Sequence, residues 1–270
     1  MKPFIHIITT RFNVPTANWD ITRDGETPLT EKWHEHRFEH FQKYTMRSFI
    51  NQSNQDFEWF VFFDINTKQK YKKIIENIER QYPKFTPIFI PGFPDKQAWI
   101  YSHINLLKIK TNYIISSDID NDDLLHRNFV ATVQSMFVPR HDQVIDVRTG
   151  IQLLLNENKP TAYLVNMAAS PFVSLVEEVN VAKSVIKEPY HSSYRYYSNY
   201  SYYDAEPLFI QFIHSYNLVN DIITSNKQLY QLDCDSFGIN SSEGFKISFK
   251  NSFFHNMRRG LRILHKKLFK

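Results

Sequence analysis

The sequence predicts an α/β domain with a mostly parallel sheet, on three observations. Strand-like and helix-like segments alternate four times within residues 1–137, the pattern of helices covering a parallel sheet. One of these strands contains the uninterrupted apolar run Trp59 to Phe63, as expected of a strand buried on both faces. Polar and charged residues follow the strand ends, at Thr10, Arg11, Asp64 and 118–123, where ligands of such sheets sit.

The elements follow in order. Residues 4–9 read as a strand, and 31–52 as a helix with Trp33, Phe38, Phe41, Met46, Phe49 and Ile50 at mostly helical spacings. After the strand at 57–63, a helix over 67–82 stops before Pro83. A short strand at 87–90 precedes a helix over 95–109 with Asp95 as a candidate N-cap. The strand 113–117 then leads through an acidic cluster into a helix over 124–137. Beyond residue 140 the pattern changes to short strands at 144–147, 151–155 and 161–165, the last two joined by a polar turn at 156–160. A tyrosine-rich stretch (190–203), a helix (206–216) and a strand-like segment (227–232) follow. Residues 1–137 and 138–250 are thus two halves of one domain, and 251–270 is a basic tail.

Charge and composition narrow the function. The chain has 270 residues, 32 Lys+Arg against 28 Asp+Glu, and a net charge of +4. Arg258, Arg259, Arg262, Lys266, Lys267 and Lys270 crowd the tail, where no acidic residue occurs, and the remainder is slightly acidic. A nucleic-acid binder with a broad basic face is therefore not expected. The six glycines form neither a GxGxxG turn nor a P-loop. The single cysteine, Cys234, excludes an internal disulfide and suits a reducing compartment. No apolar run approaches the ~20 residues of a membrane span, and the N-terminus enters a strand pattern with no signal-peptide core. A cytoplasmic protein is the expectation.

The most informative motif is Ser117-Asp118-Ile119-Asp120-Asn121-Asp122-Asp123. Carboxylates this close raise one another's pKa unless a cation neutralises them, and Mg²⁺ or Mn²⁺ suits such an oxygen-rich site. The alternative is a solvated turn in which Asp122 or Asp123 caps the next helix. An EF-hand fails, because Asp123 and Phe129 stand where Gly and Glu are required. A dehalogenase-type phosphatase, with Asp118 as nucleophile and Asp120 as acid, would normally open its domain with this strand, whereas here three βα units precede it.

Several segments in a fixed order carry a resemblance. They are Thr10-Arg11-Phe12-Asn13, the helix end Ser48-Phe49-Ile50-Asn51-Gln52-Ser53, the strand from Phe57 to Asp64, and Asp120-Asn121-Asp122-Asp123-Leu124-Leu125-His126. Ser170-Pro171-Phe172-Val173-Ser174-Leu175-Val176-Glu177 and Gln211-Phe212-Ile213-His214-Ser215-Tyr216-Asn217 complete the set. Together they resemble the putative rhamnosyltransferase family and, more distantly, the family 2 glycosyltransferases, over roughly residues 4–220. The resemblance implies a GT-A-type, Rossmann-like fold and inverting transfer of a sugar from a nucleoside diphosphate donor to a saccharide or lipid-linked acceptor. It implies that residues 1–137 bind the donor and 138–250 face the acceptor. Asp64 would contact the base or ribose, Asp120 and Asp122 would hold Mn²⁺ or Mg²⁺ with the diphosphate, and Asp123 would complete the pair often seen there. Thr10 and Arg11 lie where the first strand meets the nucleotide, and Asp118 departs from the small or basic residue of relatives. The general base is expected near a helix start well past the acidic motif, which selects Asp204 or Glu206, with Glu177 and His191 in reserve. Either of the first pair is equally readable as an N-cap.

Three features remain open. The tyrosines of 190–203 suit an acceptor sugar or a lid, or a loop packed on the surface. His34, His36 and His40 read as the polar face of the first helix. In the tail, Phe254, Met257, Leu261, Leu264 and Leu268 form an apolar stripe among basic residues. It suits either an anionic membrane surface or docking onto the domain. A non-catalytic, membrane-associated saccharide binder is the non-enzyme alternative.

Overall fold

The computed structural model describes residues 2–16, 29–155, 160–213, 223–240 and 245–268. The chain begins β1 (Lys2–Arg11), α1 (Glu31–His40), a π-helical turn (Phe41–Thr45), α2 (Met46–Ile50), β2 (Glu58–Asp64) and α3 (Gln69–Gln81). It continues β3 (Phe85–Ile90), α4 (Phe93–Leu107), β4 (Thr111–Asp118), β5 (Leu124–Leu125) and α5 (Phe129–Ser135). The rest is β6 (Gln143–Val147), β7 (Thr149–Leu154), β8 (Thr161–Asn166), β9 (Val173–Glu178), β10 (Asn199–Tyr203), β11 (Phe209–Ile213) and α6 (Phe249–Leu268), with short 3₁₀ turns between.

Among the described residues the strands form two mixed sheets. Seven of them lie in the order β10-β6-β9-β4-β1-β2-β3, and four in the order β5-β11-β7-β8. β4, β1, β2 and β3 are mutually parallel, as the alternating pattern predicts. The sheet is not parallel throughout, because β9 enters antiparallel between β4 and β6. It also spans both sides of residue 137, since β6, β9 and β10 extend it.

Both faces of the large sheet are covered, which explains the apolar run in β2. One face packs against α1, α2, α3 and α5 in a core containing Ile8, Phe38, Phe41, Trp59, Val61, Ile75 and Val130. The other packs against α4 through Phe60, Phe62, Ile100, Ile104 and Leu107. Phe49 stacks on Trp59 with ring centroids 3.7 Å apart. The second sheet closes on the first where Phe209 stacks on Phe172 at 3.9 Å. Gly150 makes that approach possible, since a Cβ there would lie 2.2 Å from the Phe209 ring.

Several sequence expectations are corrected. The helix expected at 206–216 is not formed: 214–216 lie outside the described residues, and 209–213 is the strand β11. Its apolar positions Leu208, Phe209, Phe212 and Ile213 mimic helical spacing, but both faces of the strand are buried, and Gln211 Oε1 accepts from Gln152 Nε2 at 3.0 Å. The helix expected over 124–137 is only α5, because Leu124 and Leu125 pair with β11. Gly92, not Asp95, is the N-cap of α4. The segment 227–232 contributes only a single bridge, Gln228 to Tyr163. The turn at 156–160 lies largely outside the described residues. No helix among the described residues is long and apolar enough to cross a membrane.

His6 gives the fold a titration. It is buried, with Nε2 3.0 Å from Ser117 Oγ, and burial pulls its pKa down to about 3 from 6.5. The unfolded chain therefore takes up a proton that the folded chain refuses, and stability falls as pH drops from 6.5 towards 3. Urea unfolding is expected to show about 2 kcal/mol lost to this group between pH 7 and pH 5. That component disappears in His6→Asn.

Candidate active site

The carboxyl ends of β1, β2 and β4 share one edge of the large sheet, which brings Arg11, Asp64 and Asp118 together. After β4 the acidic loop folds back over β1, with the Ile119 N–H donating to Thr9 O at 2.8 Å. Asn121 fastens it. Its Nδ2 donates to Arg11 O and Phe12 O, each at 2.8 Å, and its Oδ1 accepts from Arg37 Nη1 at 2.9 Å. The Asn121 carbonyl accepts the Thr45 hydroxyl at 3.1 Å, and Thr45 belongs to the π-helical turn, a distortion frequent beside functional sites. Removing the Asn121 amide strands the buried Phe12 carbonyl and the part-buried Arg11 carbonyl, so Asn121→Ala is expected to cost about 2–3 kcal/mol in denaturant unfolding.

The four carboxylates divide into two kinds. Asp118 Oδ1 accepts from Thr9 Oγ1 and from Lys96 Nζ, the latter at 2.6 Å, and Lys96 is fully buried. Asp122 Oδ2 lies 2.5 Å from Arg37 Nη1, with side chains only 9% and 6% exposed, and its carbonyl accepts from His40 Nε2 at 3.0 Å. These two are neutralised from within the protein. Asp123 and Asp120 are not neutralised in this way. Asp123 is buried. Desolvation, then the charges of Asp122 and Asp120, raise its carboxyl well above the usual range, although the Phe212 N–H opposes this. Its Oδ1 has no hydrogen-bond partner among the described residues. Asp120 is exposed in the loop after β4, but the surrounding protein still displaces part of its solvent. Desolvation, then Asp122, push it up to about 6, while Arg11 pulls the other way.

The cations complete the balance. Arg11 places its guanidinium 5.3 Å from the Phe93 ring centroid; burial lowers its pKa, and Asp120 and Asp118 oppose that. Arg11, Arg37 and Lys96 thus face four aspartates, and the crowding shows in the raised pKa values of Asp120 and Asp123, which a bound cation would lower again. Among the described residues no three of these carboxylates bring oxygens within 4.8 Å of one another, so a hard divalent cation would take one or two of them, the bare oxygen of Asp123 and the open carboxyl of Asp120, together with substrate phosphates.

The other sequence-selected residues are placed as follows. Asp64 Oδ1 accepts the Asn66 N–H at 2.8 Å, and the Asp64 N–H donates to Asn13 Oδ1 at 3.0 Å. Asp64 borders a cavity of about 190 Å³ shared with Asn13, His34, Thr67 and Tyr71. Thr10 is corrected: it is fully buried, and its hydroxyl accepts from Trp59 Nε1 at 3.0 Å. It faces the core, and Thr9, one residue earlier on the opposite face, touches Asp118 instead. Asp204 and Glu206 are exposed and follow β10 on the same edge as Asp118, three strands away. That separation is roughly 14 Å at ordinary strand spacing. Neither caps a helix, because β11 follows them. Glu177 lies towards the opposite end of β9 and is buried, accepting from Lys187 Nζ at 3.1 Å. His191 Nδ1 lies 2.6 Å from Ala169 O, in the loop leading into β9.

Sequence reasoning missed Arg37, His40, Lys96 and Asn13. The polar face assigned to the first helix is also corrected, since His34 lines the Asp64 cavity and His40 supports Asp122. A signal existed: Arg37 and His40 interrupt the stripe Trp33, Arg37, His40, Tyr44, and a charge within an otherwise apolar stripe calls for a buried partner.

Solved structures with similar chain traces include S. aureus TarS 1–349 (11% identity, TM-score 0.44, covering 77% of this chain and 60% of that one). The same fragment in complex with UDP-GlcNAc gives 11% identity and TM-score 0.43, covering 78% and 59%. A 4-diphosphocytidyl-2C-methyl-D-erythritol synthase from Anaerococcus prevotii DSM 20548 gives 8% identity and TM-score 0.35, covering 76% and 91%. The chain therefore spans about 60% of the TarS fragment's length. No curated protein matches the sequence. The sequence profile described as "Putative rhamnosyl transferase" matches residues 6–225, and the chain belongs to that family.

Proposed function

We propose that this chain is a metal-dependent glycosyltransferase of GT-A type, moving a sugar from a nucleoside diphosphate donor to a saccharide or lipid-linked acceptor. The observation that carries the proposal is the unneutralised pair Asp120 and Asp123 at the carboxyl edge of parallel strands, in a member of a glycosyltransferase family. Asp120 and Asp123 would hold Mn²⁺ or Mg²⁺, with Asp122 kept beside them in its ion pair with Arg37. When bound, such a cation acts as a Lewis acid on the departing diphosphate.

The chain's own residues do the rest. Arg11, whose charge acts on Asp120, supplies a cation to the phosphates. Asp64 and the cavity beside Tyr71 receive the base or ribose. Asn121 and Arg37 hold the loop so that Asp120 projects. Asp204 or Glu206, across the sheet edge, takes the acceptor hydroxyl proton as that oxygen attacks the anomeric carbon; the roughly 14 Å span leaves room for a sugar between.

Incubation with a panel of nucleoside diphosphate sugars tests this. Release of nucleoside diphosphate that depends on Mn²⁺ and rises with a saccharide acceptor is expected. Phosphate release from phosphomonoesters, abolished by Asp118→Asn, would instead establish the phosphatase reading. Because Asp120 takes up a proton near pH 6, Mn²⁺ affinity is expected to fall as pH is lowered through that value. Isothermal titration at pH 7.5 and pH 5 checks this.

A further inference from the structure

The helix α6 meets the rest of the chain through its polar side. Asn256 exchanges two hydrogen bonds with the Gln228 backbone, both at 2.9 Å. His255 Nε2 lies 2.9 Å from Asn226 O, and Arg259 Nε donates to Ser225 O at 2.9 Å. Ser252 is buried on the same side. With 3.6 residues per turn, Phe253, Met257, Leu261 and Leu264 then fall on the opposite side. They are exposed, Met257 to 46%, Leu264 to 54% and Leu261 to 60%. Phe249 and Tyr230 extend the surface, their rings 5.0 Å apart. A helix packed on its own domain buries its apolar side; this one does the reverse. The docking alternative for the tail stripe is therefore corrected.

Charge identifies the occupant. Lys250, Arg258 and Lys267 border the stripe, and the helix carries no acidic residue. Arg258, Arg259, Arg262 and Lys266 also line a groove of about 1060 Å³ between the helix and residues 224–226. Pairing two copies of α6 would bring these cations together with no carboxylate on the helix to answer them. An anionic bilayer surface supplies both the apolar medium and the countercharge. We propose that α6 anchors the protein peripherally to bilayers containing anionic phospholipid, its stripe lying in the interface. The proposal does not depend on the donor chemistry.

Sedimentation of the full chain with vesicles tests it. Binding is expected with phosphatidylcholine vesicles containing phosphatidylglycerol, and not with phosphatidylcholine alone. Arg258→Gln/Arg262→Gln is expected to weaken partitioning about fivefold per cation removed, and Leu261→Glu/Leu264→Glu to abolish it at unchanged melting temperature. Should the glutamate pair lower the melting temperature, the glutamine pair decides. Equal binding to both vesicle types, binding to neither, or no change in the glutamine pair would overturn the proposal. So would a wild-type dimer in velocity sedimentation that Leu261→Glu/Leu264→Glu converts to monomer, since the face would then be an interface between copies.

Discussion

Asp120→Asn is expected to lower the Mn²⁺-dependent transfer rate about 10²- to 10³-fold while the chain folds at least as well as wild type. The activity loss follows from removing the most accessible carboxylate of the acidic loop, where several kcal/mol of charge stabilisation on the leaving group would be organised. Unchanged stability follows from the same geometry. Asp120 is exposed at the loop tip, and its nearest like charges, Asp122 and Asp118, already raise its pKa. Replacing it with a neutral isostere removes the desolvation and repulsion that, on balance, outweigh the attraction of Arg11 and Lys96. Asp118→Asn is expected to behave oppositely, because it strands Lys96, a buried ammonium whose carboxylate partner lies at 2.6 Å, and so lowers stability first. Turnover and thermal unfolding of the two variants, measured side by side, separate the ligand from the supporting ion pair.

Arg37→Met is expected to destabilise the chain by about 3–5 kcal/mol, the usual cost of leaving one member of a buried ion pair alone. Asp122 would then sit buried beside Asp120 and Asp123 without its guanidinium, and the Asn121 side chain would lose the donor held at 2.9 Å. Adding Asp122→Asn is expected to return much of that loss, because the stranded charge goes with it. The double-mutant cycle in urea measures the coupling directly. Additive single losses would mean that Arg37 acts through its contact with Trp33, whose ring centroid lies 5.1 Å away, and not through Asp122. Restored stability without restored activity is the expected signature of the double variant, since the acidic loop would be rebuilt one carboxylate short.

Much of this architecture is legible along the chain, because the parallel strands announce themselves by apolar runs and the site by carboxylates at a strand end. What escapes is whatever depends on distant partners. Arg37 and Lys96 are ordinary helix residues until the fold sets them against Asp122 and Asp118. β9 carries no mark of its antiparallel direction, since a strand buried on both faces looks alike either way. β11 misleads for a physical reason: apolar residues at 208, 209, 212 and 213 satisfy a helical period and a doubly buried strand equally. The helix-start argument for Asp204 and Glu206 falls with that helix, and their proposed role now rests on their place along the sheet edge. Thr10 shows how little separates a site residue from a core residue, since a shift of one position along β1 reverses the face.

Thermal unfolding with UDP, GDP and dTDP, each with and without Mn²⁺, is the most direct measurement. For one nucleotide, at about a hundredfold excess over its Kd, a rise in Tm of roughly 5 °C or more is expected. It should appear only with Mn²⁺ and be absent in Asp120→Asn. No rise with any of the three nucleotides, in either condition, would contradict the assignment of the acidic edge to a nucleoside diphosphate sugar.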